Sequence, residues 1–315
     1  MSSVKEKDLL QLNASLPKGS KKRYVRSKSS KKKDQAATPT KKTQTVSASI
    51  ASPAQVKPPE FDPIEAQNIV FRPNPGPQTQ YLASGEREVL YGGAAGGGKS
   101  YATLADPLRN MNNPDFSGLL VRHTTEELRE LIQKSQELYP KAIPGIKWSE
   151  RKSQWVTPRG GRIWMSYLDK DHDVMRYQGQ AFNYIAFDEL TQWGSPYSWN
   201  YMRSRLRSAN KDLGLYMRAT TNPGGQGHAW VKKMFIDPAS PNTPFWATDI
   251  ETGEVLKFPS GHSKAGQPLF KRRFIPASLF DNPYLAESGD YEAMLLSLPE
   301  HQRKQLLEGN WDVNE

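Results

Sequence analysis

From residue 58 onward, apolar residues fall into short unbroken runs separated by longer stretches in which they recur every three or four positions. EVLY (88–91), GLLVRH (118–123), NYIAFDE (183–189) and LGLYMRATTN (213–222) are runs of strand length. Their continuity predicts strands covered on both faces. Between them, YATLADPLRN (101–110) predicts a short helix, and TTEELRELIQKSQELY (124–139) a longer one with Leu128, Leu131, Ile132 and Leu138 at helical spacing. Thr124 and Glu127 stand in the relation of a capping box at its start, each satisfying a backbone N–H of the first turn. QWVTPRGGRIWMSYL (154–168) reads as a hairpin turning at Pro158 to Gly161. Strands alternating with helices predict an α/β fold with a mainly parallel sheet, whose sites gather at the C-terminal ends of the strands.

The first 57 residues break this pattern. They hold 14 Lys or Arg against three acids, Glu6, Asp8 and Asp34, a local charge of about +11, whereas the remaining 258 residues sum to about −1. Rich in Ser, Thr, Lys, Gln and Pro, the segment cannot bury enough surface to offset the entropy of ordering itself. It reads as a disordered basic arm, suited to salt-sensitive contact with nucleic-acid phosphates or equally to keeping the protein in solution. Cysteine is absent, which excludes disulfides, thiol nucleophiles and thiolate metal sites. The five His residues never pair at ligand spacing, so a bound metal would be hard and oxygen-ligated. No apolar stretch reaches the roughly 18 residues that span a bilayer and no secretion signal is present, so a soluble cytosolic protein is expected.

Candidate chemistry begins with Gly93, Ala94, Ala95, Gly96, Gly97, Gly98, Lys99 and Ser100, which match G-x-x-x-x-G-K-[ST] after a predicted strand and before a predicted helix. Such glycines let successive N–H groups surround a triphosphate, with the lysine reaching the β- and γ-phosphates and the serine hydroxyl serving Mg²⁺. ATP and Mg²⁺ are the expected ligands. The run Tyr184 to Phe187 ends in Asp188 and Glu189. There Asp188 is expected to serve the metal and Glu189 to activate water as general base. A third strand ends in TTNPGG, where Thr220, Thr221 and Asn222 are placed to sense the γ-phosphate, unless the segment is simply a turn.

In order along the chain, Gln78 with Tyr81 and Leu82, YGGAAGGGKS, RYQGQAFNYIAFDEL, MRSRLRS, TTNPGG followed by Trp230, FIPASLFDNPYL and LLEGNW resemble the ATPase domain of tailed-bacteriophage terminase large subunits, over about residues 61–312. The resemblance implies a RecA-like P-loop NTPase core of the ASCE type, with an extra strand between the two nucleotide motifs, over 58–235. A small lid subdomain would occupy 236–315. It implies an ATP-hydrolysing motor that moves double-stranded viral DNA into a procapsid in the host cytoplasm, working as a homo-oligomeric ring, a pentamer, on the portal protein with the small terminase subunit. Gln78 is similar to the family's adenine-sensing glutamine and Thr220 to Asn222 to its coupling motif.

No arginine lies in the phosphate loop, so a neighbouring subunit would supply the finger, Arg176 being the first candidate and Arg205 the second. Lys232 with Lys233, and Lys271 to Arg273, are candidate DNA contacts, against the blander reading of a solvated basic face. The chain stops at GNWDVNE, where the family's linker to a nuclease would begin, so DNA cleavage is not expected of it. Rival readings are a helicase or remodelling ATPase, a non-catalytic nucleic-acid-binding scaffold and, from the loop alone, a small-molecule kinase.

Overall fold

The computed structural model describes residues 69–287 and 289–313; the expected basic arm of residues 1–57 lies outside the described residues. The first helix, α1 (Pro77–Ala83), precedes strand β1 (Glu88–Gly93), the phosphate loop and helix α2 (Lys99–Ala105). Then come β2 (Ser117–Arg122), α3 (Thr125–Ala142), the edge strands β3 (Lys147–Ser149) and β4 (Gln154–Val156), and β5 (Arg162–Tyr167). β6 (Tyr184–Asp188), α4 (Tyr197–Arg203), β7 (Tyr216–Thr221), β8 (Phe245–Trp246) and β9 (Lys271–Ala277) complete the sheet, and α5 (Asp290–Leu296) and α6 (Glu300–Leu306) close the chain.

The nine strands among the described residues form one sheet in the order β3-β4-β5-β2-β6-β7-β1-β9-β8. The six from β5 to β9 in that order run parallel; β3 and β4 at one edge and β8 at the other are antiparallel. β7 lies between β1 and β6, the two strands that carry the phosphate loop and the acidic pair. This is the inserted strand expected of the RecA-like class.

The apolar runs become central strands because neither face of the sheet is open. Along β2, Leu119 and Val121 enter one core with Ile185, Phe187, Met217 and Ala219. Leu120 enters the opposite core with Ala186 and, from α3, Leu128, Leu131 and Leu138. That two-sided burial is what an unbroken run, rather than an alternating one, encodes. The capping box of α3 is formed as expected, with Thr124 accepting from the Glu127 N–H and Glu127 returning a bond to the Thr124 N–H.

One expectation needs correction. YATLADPLRN is not one helix: α2 ends at Ala105, and Pro107, which lacks an N–H to continue the ladder, separates it from a one-turn helix at Leu108–Met111. Beyond residue 236, β9 pairs in parallel with β1 from Glu88 to Gly93. What joins them is a buried charge cluster. Glu88, at the start of β1, is fully buried, and the Arg272 guanidinium of β9 binds its carboxylate at 2.7 Å while Arg203 of α4 binds its other oxygen. Burial alone would raise the Glu88 pKa, but the two guanidinium groups overcome it and hold the carboxyl below its usual range.

Candidate nucleotide site

β1 delivers the chain to Gly93, and a left-handed turn at Gly98 (φ +73°) starts α2 at Lys99. Gly93 has φ +135°, and a Cβ there would lie 2.3 Å from the Ala277 carbonyl oxygen, so no other residue fits between β1 and β9. The outer wall of the loop is tied down. Ala94 N–H donates to Ala277 O (2.8 Å) and Ala95 N–H to Leu306 O (2.7 Å), while Asn282 Nδ2 binds Gly96 O and Tyr91 Oη binds Gly97 O. The next five backbone N–H groups, Gly96 to Ser100, make no hydrogen bond among the described residues. Bound from outside and unsatisfied within, the loop has the form of an anion cradle.

Lys99 is buried, its Nζ donating to Ala94 O at 2.7 Å. Burial lowers its pKa, opposed by the charges of Glu189 and Asp188. Gln78 is spanned by backbone on both sides, with Oε1 accepting from Asn74 N–H (2.6 Å) and Nε2 donating to Gly98 O (2.9 Å). It is thereby fixed against the loop, with a second N–H left for a ligand.

Asp188 closes β6, fully buried and directly across from Thr220 of β7. The Thr220 hydroxyl donates to Oδ1, and the Arg122 guanidinium reaches Oδ2 at 2.7 Å from the end of β2. Arg122 was not anticipated, because a lone arginine after an apolar run carries no pattern; only its place at the end of the strand beside Asp188 could have marked it. Glu189 adopts φ +63°, a costly conformation for a residue with a side chain and one found where a site is shaped. Burial pushes its carboxyl above the usual range and Asp188 adds to this, while Lys99, Arg122 and the Asn222 N–H offset part of it.

The TTNPGG turn is wired to this strand end. Thr191 donates its N–H to Thr221 Oγ1 (3.1 Å), and its own hydroxyl lies 2.7 Å from that oxygen and 3.1 Å from the Asn222 carbonyl. Beyond the turn, Gly224 N–H donates to His228 Nδ1 at 2.8 Å, which places the proton on Nε2, 3.1 Å from the Trp311 carbonyl. His228 was not singled out from the sequence, since one His after a glycine pair resembles any helix start.

The two candidate finger arginines sit at different ends of the sheet. Arg176 is exposed just beyond the C-terminal end of β5, over the Tyr167 ring and bonded to Tyr167 O at 2.6 Å. Arg205 stands beside Tyr201, and its backbone carbonyl binds the Phe182 N–H ahead of β6, at the end opposite Asp188. Of the candidate DNA contacts, Lys232 is paired with Asp237 and Asp312, and Arg272 is buried on Glu88. Neither is a free surface cation. Among the described residues no three His or acidic side chains converge as a metal cluster. A divalent ion would fit the hydroxyl and carboxylate of Ser100 and Asp188 together with phosphate oxygens, a hard oxygen set.

A phosphate loop between a strand and a helix, an acid-tipped strand two places away and a third strand inserted between them define the RecA-like P-loop NTPase class. The chain belongs within it to one family: residues 90–312 match the family described as terminase large subunit, T4likevirus-type, N-terminal. The large terminase of the thermophilic bacteriophage D6E in complex with ADP is similar in fold, with TM-score 0.54 and 14% identity over 75% of this chain and 53% of that one. The ATPase domain of the Thermus phage P74-26 large terminase is similar at TM-score 0.50 and 10% identity, over 79% of this chain and 98% of that domain. The chain thus spans about half the length of the D6E protein and nearly all of an isolated ATPase domain. No curated protein matches by sequence.

Proposed function

We propose that this chain binds ATP with Mg²⁺ in the cradle at the end of β1 and hydrolyses it to drive double-stranded DNA into a procapsid. The observation that carries the reading is the row of unsatisfied N–H groups from Gly96 to Ser100 beside the buried Lys99 and Asp188 and the half-buried Glu189. Gly93 to Gly98 enclose the phosphates, Lys99 compensates their charge, and Gln78 directs its remaining N–H to the adenine. Ser100 and Asp188 hold the divalent ion, which supplies charge neutralisation at the phosphates. Glu189, with its raised proton affinity, takes the proton of the attacking water. Thr221 and Asn222 sense the state of the γ-phosphate through Thr191.

The finger comes from a neighbouring subunit of the ring. Arg176 is preferred over Arg205 because it stands at the nucleotide end of the sheet. Residues 236–315 supply the lid, of which Asn282 and Leu306 touch the loop at Gly96 and Ala95. Portal protein, small terminase subunit and host cytoplasm complete the setting. No helix among the described residues is long and apolar enough to cross a membrane.

The test is ATP turnover with and without duplex DNA for the wild type and Glu189→Gln. Turnover stimulated by DNA and reduced about 10²–10⁴-fold in the variant, with nucleotide affinity retained, is expected. Turnover equal in the two proteins would remove Glu189 as base, and turnover indifferent to DNA would remove the motor.

A further inference from the structure

Between Lys141 and Arg162 the chain places six cations, Lys141, Lys147, Arg151, Lys152, Arg159 and Arg162, against a single acid, Glu150. Five of them lie along the free edge of the sheet, on β3, in the turns around β4 and at the start of β5, while Lys141 lies in the last turn of α3. All six side chains are exposed, and none takes part in an ion pair among the described residues. Three half-buried lysines elsewhere are paired, Lys134 with Glu130, Lys304 with Glu300 and Lys232 with Asp237.

The strand register sharpens the picture. Lys147 lies opposite Val156, and Val156 opposite Arg162, so the two cations share one face of the three-stranded edge. Two strand spacings separate them by about 10 Å. Arg159 is exposed in the turn that joins β4 to β5, where the Thr157 N–H donates to the Gly161 carbonyl. A lysine on an edge strand also guards against edge-to-edge pairing. That role accounts for Lys147, but Arg162 lies two strands inward and Arg159 outside the strands.

We infer that this edge is a contact surface for the phosphate backbone of duplex DNA, a proposal that rests on the reading that DNA is the track. B-DNA carries one negative charge per about 1.7 Å of axis, so a face 10 Å wide meets several phosphates at once. Flexible cations on short strands contact such a backbone without reading its bases, as a packaging motor requires. Arg162 begins β5 at the end of the sheet opposite the nucleotide loop. DNA on this face would leave the loop open to nucleotide.

The experiment uses the full chain. Acetylation of surface lysines is followed by mass spectrometry with and without a 30-base-pair duplex of random sequence, alongside duplex affinity of the wild type and of Lys147→Gln/Arg159→Gln/Arg162→Gln across a salt series. Protection of Lys147 and Lys152, with Lys134 and Lys304 unchanged, is expected. The variant should bind at least 10-fold more weakly at low salt, with a salt slope smaller by about 2–3, roughly 0.9 per lost contact. Its nucleotide affinity should be unaltered. A wild type that binds duplex while Lys147 and Lys152 acetylate at unchanged rates overturns the surface, as does their protection by polyglutamate and not by DNA. A wild type without duplex affinity instead overturns the packaging reading beneath it. Should the variant not fold, the acetylation pattern of the wild type decides.

Discussion

Arg122 and Asp188 form a buried ion pair of 2.7 Å across neighbouring parallel strands, joining the end of β2 to the acid that closes β6. The guanidinium is nearly fully enclosed and the carboxylate completely so. Removing one partner leaves the other charged and desolvated. Arg122→Ala should therefore lower the unfolding free energy by about 3–5 kcal/mol, measured by denaturant titration, whereas Arg122→Met with Asp188→Leu should recover most of that loss while remaining inactive.

Gly309 lies against the phosphate loop at φ +65°, and a Cβ there would come within 2.8 Å of the Ala94 nitrogen. Gly309→Ala should cost about 1–3 kcal/mol through the strained conformation and displace the loop wall. Thermal unfolding with and without ADP should show a lower midpoint and a smaller ADP-induced rise than in the wild type.

Thr191 ties the segment after Glu189 to the TTNPGG turn through its N–H and its hydroxyl. Thr191→Val removes the hydroxyl while keeping the shape and the N–H bond to Thr221 Oγ1, at a net cost of about 0.5–1.5 kcal/mol. If the turn senses the γ-phosphate, kcat should fall more than nucleotide affinity. Equal loss in both would identify the bond as structural only.

Burial lowers the His228 pKa; the charge of Lys232 adds to this, and the bond to the Trp311 carbonyl, with Asp237 and Asp312, opposes it. A histidine held neutral in the fold stabilises above the unfolded value of about 6.5 and loses that contribution as pH falls toward its folded value. Thermal midpoints should therefore decline between pH 7 and 5, and part of this decline should vanish in His228→Gln.

The central sheet was legible because β2, β6 and β7 are covered on both faces and so must be apolar throughout. β9 was not, since KRRFIPA reads as a basic surface run until Glu88 is found across from Arg272. The same contact removes Arg272 from the DNA-facing candidates. Lys99, Asp188 and Glu189 were readable because a fixed spacing or a strand end marks each of them. Arg122 and His228 act through partners distant in sequence, and no local pattern announces such partners.

β1 has as sheet neighbours two strands that come later in the chain, and the Arg272 that locks its first residue follows Glu88 by 184 residues. At synthesis rates of about 5–20 residues per second, the ribosome makes the strand leading to the phosphate loop roughly 10–40 s before its far clamp exists. The cradle therefore cannot assemble while the polypeptide is half made. A nascent chain thus lacks a closed loop until the last strands of its sheet have emerged.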